Sequence, residues 1–252
     1  MKAAIVTGAS SGMGRDFVRA LDGRGLDEIW AIARRRDALE ALAAECKTRV
    51  RVMALDLKSE DAFTELAAAL EEEKPDVRYL VCGAGYGRFG DYTKVDFDES
   101  RGMIDLNVTA LVRTTYLALL YMSAGAHIIE IASASAFMPL PYLNVYAATK
   151  AFVRHFSRAL GVELRERGVS VTALCPGWVD TEFMATADKT DRGSVTSFPG
   201  MKKSPDVVAA ALRAADRGRH TCVPGLAMKA AHTFSKLVPT RLAMKAWGAV
   251  RK

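Results

Sequence analysis

The sequence has little of what would staple, anchor or extend a chain. Its four cysteines, Cys46, Cys82, Cys175 and Cys222, form no C-x-x-C pair and no regular spacing. The four histidines, His127, His155, His220 and His232, form no H-x-x-x-H pair and no cluster with the cysteines. A disulfide framework and a zinc site therefore lack support, no metal is expected, and free thiols in a reducing compartment fit better. No run of about 18 apolar residues could cross a bilayer. Met1-Lys2 leads straight into a short apolar run ended by Gly8, without the apolar core of ~7–15 residues and the cleavage site of a signal peptide, so a cytoplasmic location is expected. Repeats, low-complexity stretches and Ser/Gly-rich linkers are also missing, and one domain is the simplest organisation. Acid is missing locally: residues 226–252 hold six Lys or Arg and no Asp or Glu.

What is present is ordinary for a globular chain. Half of the 252 residues are hydrophobic and a quarter are charged, which excludes disorder, collagen and coiled coil. A chain of this length buries roughly 70–75% of its unfolded surface and needs no staple. The 35 basic and 29 acidic residues leave a net charge of +6, which residues 226–252 account for entirely, so residues 1–225 sum to zero. The body is not a polyanion-binding surface by charge, and nucleic acid is not an expected partner.

Short runs rich in Val and Ile alternate with stretches of helical periodicity. Strands are expected over residues 3–7, 28–33, 50–55, 79–82, 126–132, 170–174 and, more weakly, 220–223. Helices are expected over 12–24, 36–48, 59–73, 98–122, 146–166 and 205–217, with Ser59 and Ser204-Pro205-Asp206 as starts. Several strands are apolar almost throughout, as parallel strands covered on both faces are. The alternation implies right-handed crossovers and an α/β fold: a single-domain, doubly wound Rossmann sheet of about seven parallel strands flanked by helices.

Thr7-Gly8-Ala9-Ser10-Ser11-Gly12-Met13-Gly14 lies between the first strand and the first helix. Small residues there let the backbone approach a pyrophosphate, and the helix start offers free N–H groups and the positive end of its dipole. A tight strand–helix turn would also use glycines, but the position favours nucleotide binding. The spacing is G-x-x-x-G-x-G, not the commoner G-x-G-x-x-G. With Cys82-Gly83-Ala84-Gly85 after the fourth strand, Asn107, Ser133, Tyr146-x-x-x-Lys150 and Pro176-Gly177 following in order, the chain resembles the short-chain dehydrogenase/reductase family over residues 1 to about 225. The family's usual Asn-Asn-Ala-Gly begins here with Cys82 and Gly83, while Ala84 and Gly85 are retained.

The resemblance implies a nicotinamide cofactor held by Gly8, Ser10, Ser11, Gly12, Met13, Gly14, Ala84, Gly85, Tyr146, Lys150, Pro176, Gly177, Val179 and Thr181. Asp56 and Leu57 resemble the family's adenine-contacting pair. An NAD-binding fold places an acid at the end of the second strand; here Ala33 stands there, followed by Arg34 and Arg35. A guanidinium binds a 2′-phosphate with paired charge-assisted hydrogen bonds, and cations at a helix start otherwise oppose the dipole. NADP(H) is therefore expected over NAD(H), although the family's second NADP device, a basic residue before the second glycine, is replaced by Ser11.

Tyr146 and Lys150 lie four apart, on one face of the expected helix. A phenol is a poor acid or base at neutral pH, and a nearby ammonium together with an oxidised nicotinamide is expected to bring it toward the working range. By resemblance, Ser133 binds the carbonyl oxygen, with Ser135 as its rival, and Asn107 orders a water beside the lysine. Each residue alone has a bland reading: a helix pair on the surface, a strand end, a satisfied polar group. Together they imply a catalytic tetrad for reversible alcohol–carbonyl interconversion. Tyr86, Phe137, Tyr142, Phe183 and Met184, with Phe198 and Met201, are expected on loops around a mainly apolar substrate such as a steroid, a 3-oxoacyl group or a hydrophobic ketone. The Thr-, Ser- and Gly-rich middle of residues 178–203 suggests a lid.

Residues 226–252 read as a separate basic amphipathic extension of two short helices around Pro239. Ala230, Ala231, Phe234, Leu237 and Val238, then Leu242, Ala246, Trp247 and Val250, form its apolar rows. It can pack over the substrate loop or a partner subunit, make weak contact with an anionic membrane surface, or dock an acidic thioester carrier. The family commonly pairs through its two long helices, which implies a homodimer or homotetramer. The contrasting functions are a non-catalytic NADP-sensing regulator and a membrane-associated binding protein; the Tyr146–Lys150 pair favours the enzyme.

Overall fold

The computed structural model describes residues 1–189, 191 and 198–250, without the side chains of residues 246 and 248–250. The expected lid composition at 192–197 lies outside the described residues, as do the side chains of Ala246 and Val250 in the expected apolar row. The strands are β1 (Lys2–Thr7), β2 (Glu28–Ala33), β3 (Arg49–Ala54), β4 (Asp76–Cys82), β5 (His127–Ile131), β6 (Ser170–Leu174), β7 (Val179–Asp180), β8 (Lys202–Lys203) and β9 (Thr221–Cys222). The helices are α1 (Gly12–Leu21), α2 (Arg36–Glu45), α3 (Glu60–Glu73), α4 (Phe97–Ile104), α5 (Ala110–Leu119), α6 (Asn144–Glu163), α7 (Phe183–Ala187), α8 (Ser204–Ala215), α9 (Leu226–Phe234) and α10 (Thr240–Val250).

Seven strands form one parallel sheet in the order β3-β2-β1-β4-β5-β6-β9. The alternation of strand side chains feeds two apolar layers. Ala4 and Val6 of β1 join Phe17, Val18, Leu39 and Val207 from α1, α2 and α8. Ile5 joins Phe63, Leu66, Leu111 and Val153 from α3, α5 and α6. The chain leaves β1 toward β2 and returns on its other side at β4, so a crevice opens at the carboxyl ends of these strands, where doubly wound sheets bind ligands. The Rossmann-like architecture expected from the sequence is the one observed.

Three local departures matter for the site. The single helix expected over 98–122 is interrupted between α4 and α5 by a π-turn, Asp105–Thr109, whose extra residue carries the fully buried Asn107 inward. The segments β7, α7 and β8 were not anticipated; two-residue strands are too short to show periodicity. Ser204 is the first residue of α8 rather than its cap, whereas Ser59 caps α3 by accepting from the Asp61 N–H at 3.2 Å.

The extension forms two helices, as its pattern suggests, but α9 is turned the unexpected way. Ala230, Ala231, Phe234 and Leu237 face solvent, while Met228 and His232 lie against the body. Among the described residues, no helix is long and apolar enough to cross a membrane.

Candidate active site

A cleft of about 1130 Å³ runs along the carboxyl edge of the sheet from β2 to the extension. The loop between β1 and α1 forms its floor. Gly12 has φ 51°, and a Cβ on Gly14 would collide with the Gly8 carbonyl, so neither position accepts a larger residue without strain. Helix α1 starts with no capping bond from the Ser11 side chain and no acidic residue in its first turn, so its positive end attracts an anion, and in this structure the Glu182 carboxylate takes one of its N–H groups. Ser10, Ser11, Met13, Asp56, Leu57, Ala84, Gly85, Pro176, Gly177, Val179 and Thr181 all line the cleft. Cys82 turns into the core with its Sγ 3.6 Å from the Thr115 hydroxyl, and the Gly83 N–H donates to Thr7 Oγ1 at 3.0 Å. A side chain on Gly83 would meet the Thr7 carbonyl, so the departure from the family's Asn-Asn pair is accommodated locally.

At the end of β2, Ala33 leaves room beside Arg34 and Arg35, and all three line the cleft. Arg35 is tied to the loop, donating to the Ser10 carbonyl at 3.0 Å and its hydroxyl at 3.3 Å. Arg34 is exposed and has no hydrogen bond or ion pair among the described residues. This arrangement, a helix start over a glycine floor with an exposed guanidinium beside it, fits a dinucleotide.

Deeper in the cleft, α6 presents Tyr146 and Lys150 toward Ser133, which caps a short turn after β5. The Lys150 ammonium donates to the Ile131 carbonyl at 2.6 Å and lies 5.8 Å from the centre of the Tyr146 ring. Burial pushes the Tyr146 phenol up to about 12, against the opposing pull of the Ser133 hydroxyl, and draws Lys150 down to about 8. The lowering expected from an ammonium together with an oxidised nicotinamide is thus not found in the protein alone, where desolvation outweighs the pull of the Ser133 hydroxyl. Ser133 Oγ accepts from the Ser135 N–H at 3.1 Å, while the buried Ser135 hydroxyl has no partner among the described residues.

Asn107 does not line the cleft. Its Oδ1 accepts from the Tyr86 N–H at 3.0 Å, and its Nδ2 donates to the Tyr86 carbonyl at 2.9 Å and to Thr149 Oγ1 at 3.1 Å. It thereby fastens the loop after β4 to the turn of α6 that carries Lys150.

The outer end of the cleft is a third apolar cluster of Phe89, Leu140, Leu143, Met138, Trp178, Phe183, Met184 and Trp247 around Tyr146. The Arg88 guanidinium pairs with Glu99 at 3.0 Å and donates to the Thr186 carbonyl at 2.7 Å, so it positions α7 rather than standing free. Other charges, Lys58, Asp96, Asp98 and Lys189, also line the cleft. Two expected substrate residues are not brought here. Phe137 packs beneath α9 against His232 at 4.1 Å, and Tyr142, at φ 66° in the turn before α6, is not among the lining residues. Phe198 packs edge-on to Trp178 at 5.0 Å, and Met201 is exposed.

Glu182 and Met228 were missed by sequence reasoning, and Trp247 was read only as part of the extension's apolar row. Glu182 accepts from the Gly12 N–H at 3.1 Å and pairs with Arg15 at 3.4 Å, bridging α7 to the glycine loop. Trp247 donates to the Pro141 carbonyl at 3.0 Å and stacks on Trp178 at 6.4 Å, and Met228 covers Gly177. Separations of about fifty to 170 residues leave no local signal for such contacts.

The family profile described as short chain dehydrogenase matches residues 2–192. A sulfoacetaldehyde reductase of Chromohalobacter salexigens is 37% identical over 188 residues, covering 71% of this chain and 73% of its own. A short-chain dehydrogenase from Sphingobium yanoikuyae, solved in complex with NADPH, superposes with a TM-score of 0.80 at 28% identity, covering 98% of this chain and 96% of its own. A bulky-bulky ketone specific alcohol dehydrogenase from Comamonas testosteroni gives a TM-score of 0.76 at 26% identity, covering 98% and 94%.

Proposed function

The chain belongs to the short-chain dehydrogenase/reductase family and is an oxidoreductase of that family, and from that premise we propose that it interconverts a carbonyl and a secondary alcohol on a mainly apolar substrate using NADP(H). The observation that carries this reading is one continuous cleft with a glycine-floored helix start at one end, Tyr146, Lys150 and Ser133 in the middle, and an apolar cluster at the other.

The glycine loop, Lys150 and Thr181 would hold a nicotinamide cofactor, which would supply hydride to the carbonyl carbon in reduction or accept it from the carbinol carbon in oxidation. Ser133 holds the carbonyl oxygen, where negative charge develops during transfer. Tyr146, kept protonated by burial, donates its proton to that oxygen in the reductive direction. Lys150, anchored on the Ile131 carbonyl, faces the phenolate left behind and favours it electrostatically. Asn107 acts through Tyr86 and Thr149 by holding this turn of α6 in place. Ser135 offers a second hydroxyl to a substrate polar group.

Arg34 supports the choice of NADP(H), since a carboxylate at this strand end would repel a 2′-phosphate. The paired state of Arg88 and the aromatic outer end support an apolar substrate. Residues 1–225 form the catalytic unit in this reading and 226–252 an extension closing its outer end. Exposed Tyr116 on α5, Leu120 just past its end, and Phe152 and Val162 on α6 support a homodimer or homotetramer through these helices.

The reading is tested by following NADPH and NADH oxidation with a panel holding a bulky aromatic ketone, a 3-oxoacyl thioester and a small anionic aldehyde. Turnover is expected with NADPH and the bulky ketone, and Arg34→Ala is expected to cut the NADPH preference about tenfold or more, the loss of one charged hydrogen-bonded contact. An unchanged cofactor preference contradicts the 2′-phosphate assignment, and turnover of the anionic aldehyde alone contradicts the apolar one.

A further inference from the structure

Helix α9 is mounted with its apolar stripe outward. At 3.6 residues per turn, Leu226, Ala230, Phe234 and, just past the helix end, Leu237 fall on one side. Leu226, Phe234 and Leu237 are 84%, 66% and 76% exposed, and Leu242 of α10 adds another exposed leucine. The opposite side does the docking, through Met228 over Gly177 and His232 against Phe137. A surface helix ordinarily turns its larger apolar side chains toward the core. Here Leu226, Phe234 and Leu237 stand in water on one side of α9 and the turn after it, and grouped exposure of this kind marks an interaction surface rather than scattered exposure.

The charge around this patch has one sign. Lys229, Lys236, Arg241 and Lys245 are all exposed, and the segment contains no acid. The body beneath continues the pattern: the charged groups that reach His232 are Arg154, Arg158 and Lys236, and those that reach Cys222 are Lys229, Arg213 and Arg219. On the helix circumference, Lys229 and Lys236 fall between the buried side and the apolar stripe, at its rim.

We propose that α9 and the turn leading into α10 dock on an anionic lipid surface. Leu226, Phe234, Leu237 and Leu242 enter the acyl boundary, and the lysines and arginine meet headgroup phosphates. Pairing of this face with a second copy would press two wholly cationic segments together, so charge complementarity selects the anionic surface. The inner side of the same extension, Met228 and Trp247, lines the cleft. Docking therefore sets the cleft beside an apolar phase; that consequence rests on the proposed apolar substrate, whereas docking itself does not.

The test is co-sedimentation of the full chain with vesicles of phosphatidylcholine alone and of phosphatidylcholine with phosphatidylglycerol at three to one. Binding is expected only to the anionic vesicles and is lost on raising salt. Lys229→Gln with Lys236→Gln should lower the partition coefficient about thirtyfold, at about 1 kcal/mol per basic residue. Phe234→Ser with Leu237→Ser should lower it at least about tenfold, with Leu226→Ser as the variant to use if that pair fails to fold. These exposed substitutions are expected to leave NADPH affinity and the melting temperature at parental values. Equal binding to both vesicles, no binding to either, or binding that survives both double variants overturns the proposal. Concentration-dependent self-association abolished by Phe234→Ser would also overturn it, assigning the face to a second copy, as would capture of an acidic protein partner without vesicle binding.

Discussion

At the scale of single residues, Glu130 shows how a sequence can carry a signal that motif reading passes over. It stands in Ile128-Ile129-Glu130-Ile131, at a β5 position whose neighbours along that face, Ile128 and Ala132, are apolar core. The carboxyl is fully buried, 3.1 Å from the Thr115 hydroxyl and 2.7 Å from that of Ser157. Ser157 has one proton and also lies 2.6 Å from the Val153 carbonyl, which can only accept. Both contacts are satisfied together when Glu130 is protonated and donates, in keeping with burial pushing it up to about 7. The sign follows from linkage. Below pH 4.5 the group is neutral folded or unfolded; between 4.5 and 7 the cost of folding grows as pH rises; above 7 it levels off at roughly 3 kcal/mol. Glu130→Gln is therefore expected to gain stability over the parent at pH 8 and much less at pH 5, read as denaturant midpoints. An equal effect at the two pH values would mean that the carboxyl is not neutral in the fold.

Glu182 is the second residue of this kind. Its carboxylate takes the N–H at the start of α1 that faces an approaching phosphate. Neutralising it in Glu182→Gln is expected to tighten NADPH binding several-fold by titration of nicotinamide fluorescence, and weaker binding would show that the carboxylate supports the loop instead. The glycines, Ser133, Tyr146 and Lys150 were legible because each belongs to a short local pattern. Glu182 was not, since its partner Gly12 lies 170 residues away.

Among the elements, the seven main strands and the helices between them were legible because period and apolar content are local properties. The break between α4 and α5 was not: Asn107 opens a π-turn to reach Tyr86 and Thr149, a tertiary demand that overrides helical propensity. The orientation of α9 was not legible either, because amphipathicity states that a helix has two faces and not which one docks. Helix α10 gives the most direct test at this scale. Trp247→Ala removes a hydrogen bond to Pro141 and the stack on Trp178, together about 1–2 kcal/mol. The expected result is a KM for a bulky aromatic ketone raised about tenfold, with kcat and the KM for a small ketone little changed. Equal effects on both ketones would reduce α10 to a structural prop.

For the molecule as a whole, the separation of charge from chemistry was visible in the sequence: residues 1–225 are neutral, and the +6 belongs to residues 226–252. The extension was read as packing over the substrate loop or a partner subunit; in the fold its Met228 and Trp247 line the cleft, a placement that sequence pattern alone leaves open. The account as a whole turns on Tyr146 as the proton donor beside a bound NADPH. The most direct measurement is single-turnover oxidation of bound NADPH by the best ketone, compared between the parent and Tyr146→Phe. The expected result is a rate lower by at least about a thousandfold, within the upper range for loss of a general acid, with NADPH affinity kept within about twofold. A Tyr146→Phe protein that turns over at the parental rate would contradict the account.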